Sequence, residues 1–116
     1  MDALFIELPA FERFRAAYLS DDAFTALQVQ LLRNPDAGAV IQGVGGLRKL
    51  RFVDDFRHKG KRGGIRIIYY WWDGGAQFWL FTLYGKDEQA DLSSAQRKLL
   101  KQRLEQELAA RAKHET

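Results

Sequence analysis

The sequence contains no cysteine, which excludes disulfides, thiolate catalysis and cysteine-ligated zinc. Histidine is almost as scarce, because His58 and His114 are the only two, so neither a histidine-rich metal site nor a paired-histidine ribonuclease is expected. No apolar run reaches the roughly 18 residues of a membrane span, and the first residues lack the charged and apolar regions of a signal peptide. We therefore expect a cytoplasmic protein without metal, cofactor or membrane contact.

The length of the chain limits its organisation. A chain of 116 residues can build one hydrophobic core and is too short for two. Hydrophobic residues make up 47% of the sequence, and no repeat or long linker interrupts it. Residues 1–116 are therefore expected to form one domain.

The basic residues are unevenly distributed, although the net charge is only +3. The segment 48–66 holds eight of the 18 lysines and arginines and only two of the 15 acidic residues. A basic island in an otherwise slightly acidic chain indicates a site for a polyanion such as RNA. The alternative, a solvated basic loop, fits less well because the island extends into predicted strands.

Hydrophobic patterning predicts the element order β-α-α-β-β-β-α. Ser20 is a candidate N-cap for the second helix, Asn34-Pro35 ends that helix, and Ser93 with Gln96 matches a capping box for the last one. The predicted strands are 4–8, 47–53, 65–72 and 76–84, and the predicted helices are 10–19, 21–33 and 93–111, with a glycine loop at 38–46 and a turn at 73–75. The segment 65–72 is apolar on both faces and should be a central strand. We therefore predict an α+β fold with a mostly antiparallel sheet packed against helices.

Alternation along the strands predicts which charged side chains meet. Lys49 and Arg51 share one face of their strand, and Arg66 lies at the start of the next strand. We expect the Arg66 side chain to face the site rather than the core. Its replacement should therefore leave the fold intact. If the last three strands are neighbours, these residues converge with Tyr84 and Lys86 at the end of the final strand. A second group of basic residues is expected to bind the phosphates of the RNA backbone. It consists of Arg48, Lys59, Lys61 and Arg62.

Such a cluster suits RNA cleavage without a metal. The ribose 2′-hydroxyl attacks the adjacent phosphate, so the enzyme must stabilise negative charge and move two protons. Arginine binds phosphate in a bidentate manner, and cationic neighbours favour the deprotonated forms of lysine and tyrosine. Tyr84 and Lys86 are the candidate general bases. A phosphate-binding surface without catalysis is the alternative.

Several stretches resemble the HigB branch of the RelE toxin superfamily. They are 43–51, 60–70 and 83–88, joined by Asn34-Pro35 before the glycine loop and by Asp91-Leu92-Ser93 before the last helix, and together they span nearly the whole chain. The resemblance implies a RelE-like toxin of a type II toxin–antitoxin pair that cleaves mRNA in the ribosomal A site. It also implies a cognate HigA-like antitoxin with a helix-turn-helix domain, and operator DNA bound only through the complex of the two.

The resemblance also assigns residues. Lys49, Arg51 and Arg66 match the basic active-site positions of the superfamily, and Lys86 falls in the catalytic motif after the last strand. The sequence departs from RelE at Asp87, where RelE has an arginine, and at Leu92-Ser93, where RelE has a tyrosine. The histidines of some HigB proteins are missing.

Two other functions stay open. One is a non-catalytic RNA-binding protein or corepressor on the same scaffold, and the complete cationic set favours the enzyme over it. The other is a sequence-specific DNA-binding module, which is disfavoured because the basic island lies on strands and a loop rather than on a recognition helix.

Overall fold

A computed structural model describes residues 2–114 and shows a five-stranded sheet with three α-helices. The elements are β1 (Leu4–Glu7), α1 (Pro9–Tyr18), α2 (Asp21–Arg33), β2 (Ala39–Val40), β3 (Arg48–Phe52), β4 (Ile65–Trp72), a 3₁₀ turn (Asp73–Gly75), β5 (Gln77–Gly85) and α3 (Ser94–His114). The predicted α+β class is confirmed. None of the helices in this described part of the chain has the length and apolarity needed to cross a bilayer.

The strands lie in the order β1-β5-β4-β3-β2. Only the β1–β5 pair is parallel, so the prediction of a mostly antiparallel sheet is confirmed, as is the central position of β4. The two-residue strand β2 lies within the segment predicted as a loop. Ala39 and Val40 are both exposed. This short strand therefore has no buried face, and its sequence lacks the alternation of apolar and polar residues that would predict a strand.

The sheet is buried on both faces, which explains the continuous apolar run of β4. On one face, α1 and α2 pack through Phe11, Leu27 and Leu31 against Ile67 and Phe78. A second hydrophobic cluster on the other face includes Leu47, Ile68, Trp79 and Leu104, the last of which lies on α3.

The predicted starts of α2 and α3 are confirmed by their hydrogen bonds, whereas α1 begins at Pro9, one residue before the predicted start, without a side-chain cap. The Ser20 hydroxyl accepts the Ala23 N–H at 3.1 Å at the start of α2. At the start of α3, the Ser93 hydroxyl accepts the Gln96 N–H at 3.1 Å, and the Gln96 side chain accepts the Ser93 N–H at 2.8 Å. This reciprocal pair is a capping box.

A β-bulge in β5 determines which face its last residues present. Ile68 pairs with Thr82 and Tyr69 with Leu80, so Phe81 is an extra residue opposite β4. An extra residue shifts the alternation of the side chains that follow it. Trp79 and Tyr84 therefore lie on the same face of the sheet, although strict alternation would place them on opposite faces.

Candidate active site

Three strands bring Arg51, Arg66 and Tyr84 side by side on the α3 face of the sheet. Arg51 is the cross-strand partner of Arg66 between β3 and β4, and Arg66 is the partner of Tyr84 between β4 and β5. Directly opposed residues have Cβ atoms about 4.5–5.5 Å apart. We call these three residues the cross-strand row. Lys49 lies on the same face of β3, two residues from Arg51, so the sheet assembles the predicted surface.

Arg66 is the buried member of the row, with 3% of its surface exposed. Its NH1 donates to the carbonyls of Lys61 at 2.9 Å and Ile65 at 3.3 Å, and its NH2 donates to the carbonyl of Arg62 at 2.7 Å. Burial lowers the pKa of Arg66, and the charge of Arg51 lowers it further. Arginine nonetheless stays protonated in proteins. Arg66 is therefore a buried cation that holds the 61–62 segment against the sheet.

Arg51 is the exposed member of the row. Within residues 2–114, its guanidinium makes no hydrogen bond and no ion pair. A free guanidinium next to a second cation is suited to bind a phosphate in a bidentate manner.

Tyr84 has a buried hydroxyl, and this hydroxyl has no hydrogen-bond partner in the described chain. Burial raises the pKa of Tyr84, and Asp91 raises it further, while Arg66 and Arg97 act in the opposite direction. The neighbouring cations therefore do not produce the phenolate expected from the sequence. At neutral pH, Tyr84 is a phenol, which suits it to donate a proton rather than to accept one.

Sequence reasoning missed Asp91, which lies in the segment between β5 and α3. Its Oδ1 accepts the Leu92 N–H at 2.8 Å and lies 3.1 Å from Lys49 Nζ, and its Oδ2 lies 3.4 Å from Arg97 NH2. The Leu92 N–H lowers the pKa of Asp91 most, and Lys49 adds to this effect. The ionised carboxylate therefore offsets the charge of Lys49. This contact joins residues 42 positions apart, so local patterning could not reveal it.

The predicted base Lys86 lies immediately beyond β5. Its N–H donates to the Gly64 carbonyl at 2.8 Å, and its ammonium donates to the Ala90 carbonyl at 2.9 Å. Lys86 is exposed and makes no ion pair with any residue between 2 and 114. Its ammonium group is therefore accessible to a substrate.

The basic segment between β3 and β4 is tied to the sheet at several points. Asp54 and Lys59 exchange backbone hydrogen bonds of 2.8 and 2.9 Å, and Lys59 Nζ lies 2.9 Å from Asp87 Oδ2. Gly64 permits this close packing, because a Cβ there would lie 2.4 Å from the Phe52 carbonyl oxygen. Lys61 and Arg62 remain exposed beside the cross-strand row. The segment is thus a hairpin tied to the sheet, which agrees with the disfavouring of a solvated basic loop.

The structure separates Arg48 from the other predicted RNA ligands. Its neighbours in alternation, Leu50 and Phe52, belong to the core beneath α1 and α2, so Arg48 lies on the face opposite Lys49 and Arg51. Its NH1 donates to the Gly38 carbonyl at 2.7 Å, and its NH2 lies 3.3 Å from Asp36 Oδ1. These contacts hold the segment that leads into β2.

Comparison with known proteins identifies the fold. No protein-family model matches the chain. Among solved structures, the chain is similar to a double arginine-to-alanine mutant of the E. coli toxin RelE in the free state, with a TM-score of 0.52 and 16% sequence identity. The match covers 78% of this chain and 90% of that one. The protein therefore has a RelE-like fold.

Proposed function

We propose that this protein is the toxin of a type II toxin–antitoxin system and cleaves mRNA on the ribosome. The observation that carries the proposal is the cross-strand row, in which an exposed arginine, a buried arginine and a protonated tyrosine lie side by side at one end of a RelE-like sheet. RNA cleavage by the 2′-hydroxyl needs positive charge at the phosphate and a proton donor for the leaving oxygen. The row offers both.

The roles follow from the exposure and the protonation of each group. Arg51 binds the non-bridging oxygens of the scissile phosphate. The buried neighbour Arg66 adds a second positive charge that stabilises the same phosphate. Tyr84 is the candidate proton donor to the leaving oxygen, and this role requires RNA binding to expose its buried hydroxyl. Lys86, in its deprotonated amine form, is the candidate that removes the 2′-hydroxyl proton, and Lys49 orients the chain together with Asp91. Lys59, Lys61 and Arg62 contact the backbone of mRNA or ribosomal RNA.

The biological setting is part of the same proposal. The protein acts in the cytoplasm, at the ribosomal A site, as one domain of the HigB branch. A cognate HigA-like antitoxin with a helix-turn-helix domain silences it, and the complex of the two proteins binds the operator DNA. No metal or cofactor takes part in the reaction.

A cleavage assay with purified protein, with and without programmed ribosomes, tests the proposal. We expect mRNA to be cut only in the ribosome arm. A free-RNA arm with EDTA tests for cleavage that needs neither ribosome nor metal, and cutting there would remove the ribosome from the mechanism.

A non-catalytic RNA-binding protein on the same fold is the second candidate. The charge of Lys49 is offset by Asp91, and Arg66 already makes three hydrogen bonds to carbonyls, which favours binding over chemistry. Ribosome binding by folded protein without any cleavage would support this candidate.

Replacing Tyr84 with Phe should raise stability and lower activity at the same time. The substitution removes a buried hydroxyl that has no partner, so we expect the free energy of unfolding to rise by about 1 kcal/mol. Loss of the proton donor should slow cleavage about 100-fold. Urea denaturation and single-turnover cleavage would measure the two effects. Unchanged cleavage by the stabilised variant would exclude Tyr84 as the acid.

A further inference from the structure

The first half of α3 carries positive charge that no acidic residue of the helix compensates. Between Asp91 and Glu105 the chain has four lysines and arginines and no carboxylate. The first turn of α3 lacks an acidic residue, although the helix dipole favours anions there. Lys101 lies three residues after Lys98 and four after Arg97, so like charges are neighbours on the helix surface. This arrangement destabilises an isolated helix, and a bound polyanion would relieve the repulsion.

Arg97, Lys98 and Lys101 lie on one side of α3, which we call the basic side. An α-helix has 3.6 residues per turn, so these three residues flank the line of the buried Leu104 on the same side of it. Leu99, the exposed large apolar residue of α3, lies on the opposite side of that line. The basic side therefore presents charge without a large apolar side chain.

The two lysines of the basic side are free to bind a ligand. Lys98 and Lys101 are exposed, and neither side chain makes a hydrogen bond or an ion pair in the described part of the chain. Their charges are therefore offset only by solvent ions, which a polyanion releases when it binds.

Asp91 connects the basic side to the candidate active site. Its Oδ2 lies 3.4 Å from Arg97 NH2, and its Oδ1 lies 3.1 Å from Lys49 Nζ. Lys49 in turn lies two residues from Arg51 on the same face of β3. A line of cations consequently runs from the cross-strand row through Lys49 to α3.

We propose that the basic side of α3 binds the sugar-phosphate backbone of a single RNA strand that continues from the cross-strand row. Arg97 and Lys101 are separated by about 6 Å along the helix axis, which is comparable to the spacing of neighbouring phosphates in one strand. Contacts of this kind position the strand without reading its bases. One line of cations fits one strand rather than the two backbones of a duplex.

An acidic protein segment is the poorer ligand, because the basic side offers it no exposed large apolar side chain to pack against. The view that the bound strand leads away from a cleaved phosphate rests on the proposed function. The preference of the basic side for single-stranded RNA does not.

Fluorescence anisotropy of a labelled 2′-O-methyl oligouridylate of about 12 nucleotides tests the proposal. The methyl group blocks attack by the 2′-hydroxyl, so the probe stays intact. The double variant Lys98→Gln/Lys101→Gln removes two charges, and glutamine keeps the helix propensity of lysine. Each phosphate contact adds about 0.7 to the slope of log affinity against log salt for a single strand. We expect the slope to fall by about 1.4, and the affinity to fall about 50-fold at about 50 mM salt.

Arg13→Gln/Arg33→Gln is the matched control. It has the same net charge as the α3 double variant and replaces exposed arginines of α1 and α2. It should therefore keep the wild-type slope, and both double variants should unfold at the urea concentration of the wild type.

Three results would overturn the proposal: no binding of the oligouridylate by the wild type, a slope that the α3 double variant leaves unchanged, or an equal loss in the control variant. Tighter binding of a polyglutamate with the same number of charges would assign the basic side to a protein partner and reject RNA. Tighter binding of duplex RNA would reject a single strand. Cleavage on ribosomes is measured separately. A wild-type protein that cuts no mRNA would refute the proposed function, and the anisotropy titration would still decide the ligand of α3.

Discussion

Replacing Arg51 with Ala should reduce mRNA cleavage about 1,000-fold and leave stability unchanged within about 0.5 kcal/mol. The Arg51 side chain is exposed and makes no hydrogen bond or ion pair in the described chain, so its removal leaves no buried group without a partner. It is also the member of the cross-strand row that a phosphate can reach directly. The loss should appear in the rate of the chemical step more than in ribosome binding, because charge on the phosphoryl oxygens grows in the transition state.

Single-turnover cleavage on programmed ribosomes and urea denaturation of the same preparation measure these two quantities. Arg33→Ala is a matched control, because Arg33 is an exposed arginine at the end of α2. A folded Arg51→Ala protein that cuts within threefold of the wild-type rate would show that the catalytic centre lies elsewhere.

Replacing Arg66 with Ala should reduce activity and also destabilise the protein by about 3 kcal/mol. The structure changes the expectation that the fold would stay intact, because Arg66 is buried and holds the carbonyls of Lys61, Ile65 and Arg62. Charge-assisted hydrogen bonds contribute about 1.5–3 kcal/mol each, and Arg66→Ala removes three of them. Cleavage should fall about 1,000-fold, because the row loses one cation and the hairpin beside it loosens.

Arg66→Lys separates the two effects. Lysine keeps the charge but lacks the planar fork that reaches several carbonyls together, so we expect it to recover less than half of the lost stability. Urea denaturation, together with amide hydrogen exchange across residues 59–64, measures the loosening. If Arg66→Ala unfolds at the same urea concentration as the wild type, the three carbonyl contacts do not stabilise the fold.

Arg51 and Arg66 carry the same charge and lie side by side, yet the two substitutions should behave differently. The sequence predicted that they converge on one surface if the last three strands are neighbours, and the strand pairing meets that condition. The burial of Arg66 was not predictable from that pattern, because it depends on how residues 59–64 fold back over the start of β4. The difference between an exposed arginine and a buried structural cation is therefore a property of the tertiary structure.

The sequence by itself determined the local elements and their class. The Ser20 cap, the Ser93–Gln96 capping box and the two-sided apolar run of β4 all act over a few residues, so the pattern of side chains is sufficient to recognise them. Alternation also placed Lys49 and Arg51 on one face, and the same rule puts Arg48 on the other.

Only the tertiary structure decided which groups meet at the site and in what state. The bulge at Phe81 turns Tyr84 onto the face of Arg66, and Asp91 approaches Lys49 from a distant segment. Burial then keeps the Tyr84 hydroxyl protonated despite its cationic neighbours. The physical reason is the sequence distance over which each interaction acts. Helix caps and periodicity depend on near neighbours in sequence. Strand register, burial and the pKa of a side chain depend on atoms that only the folded chain brings together.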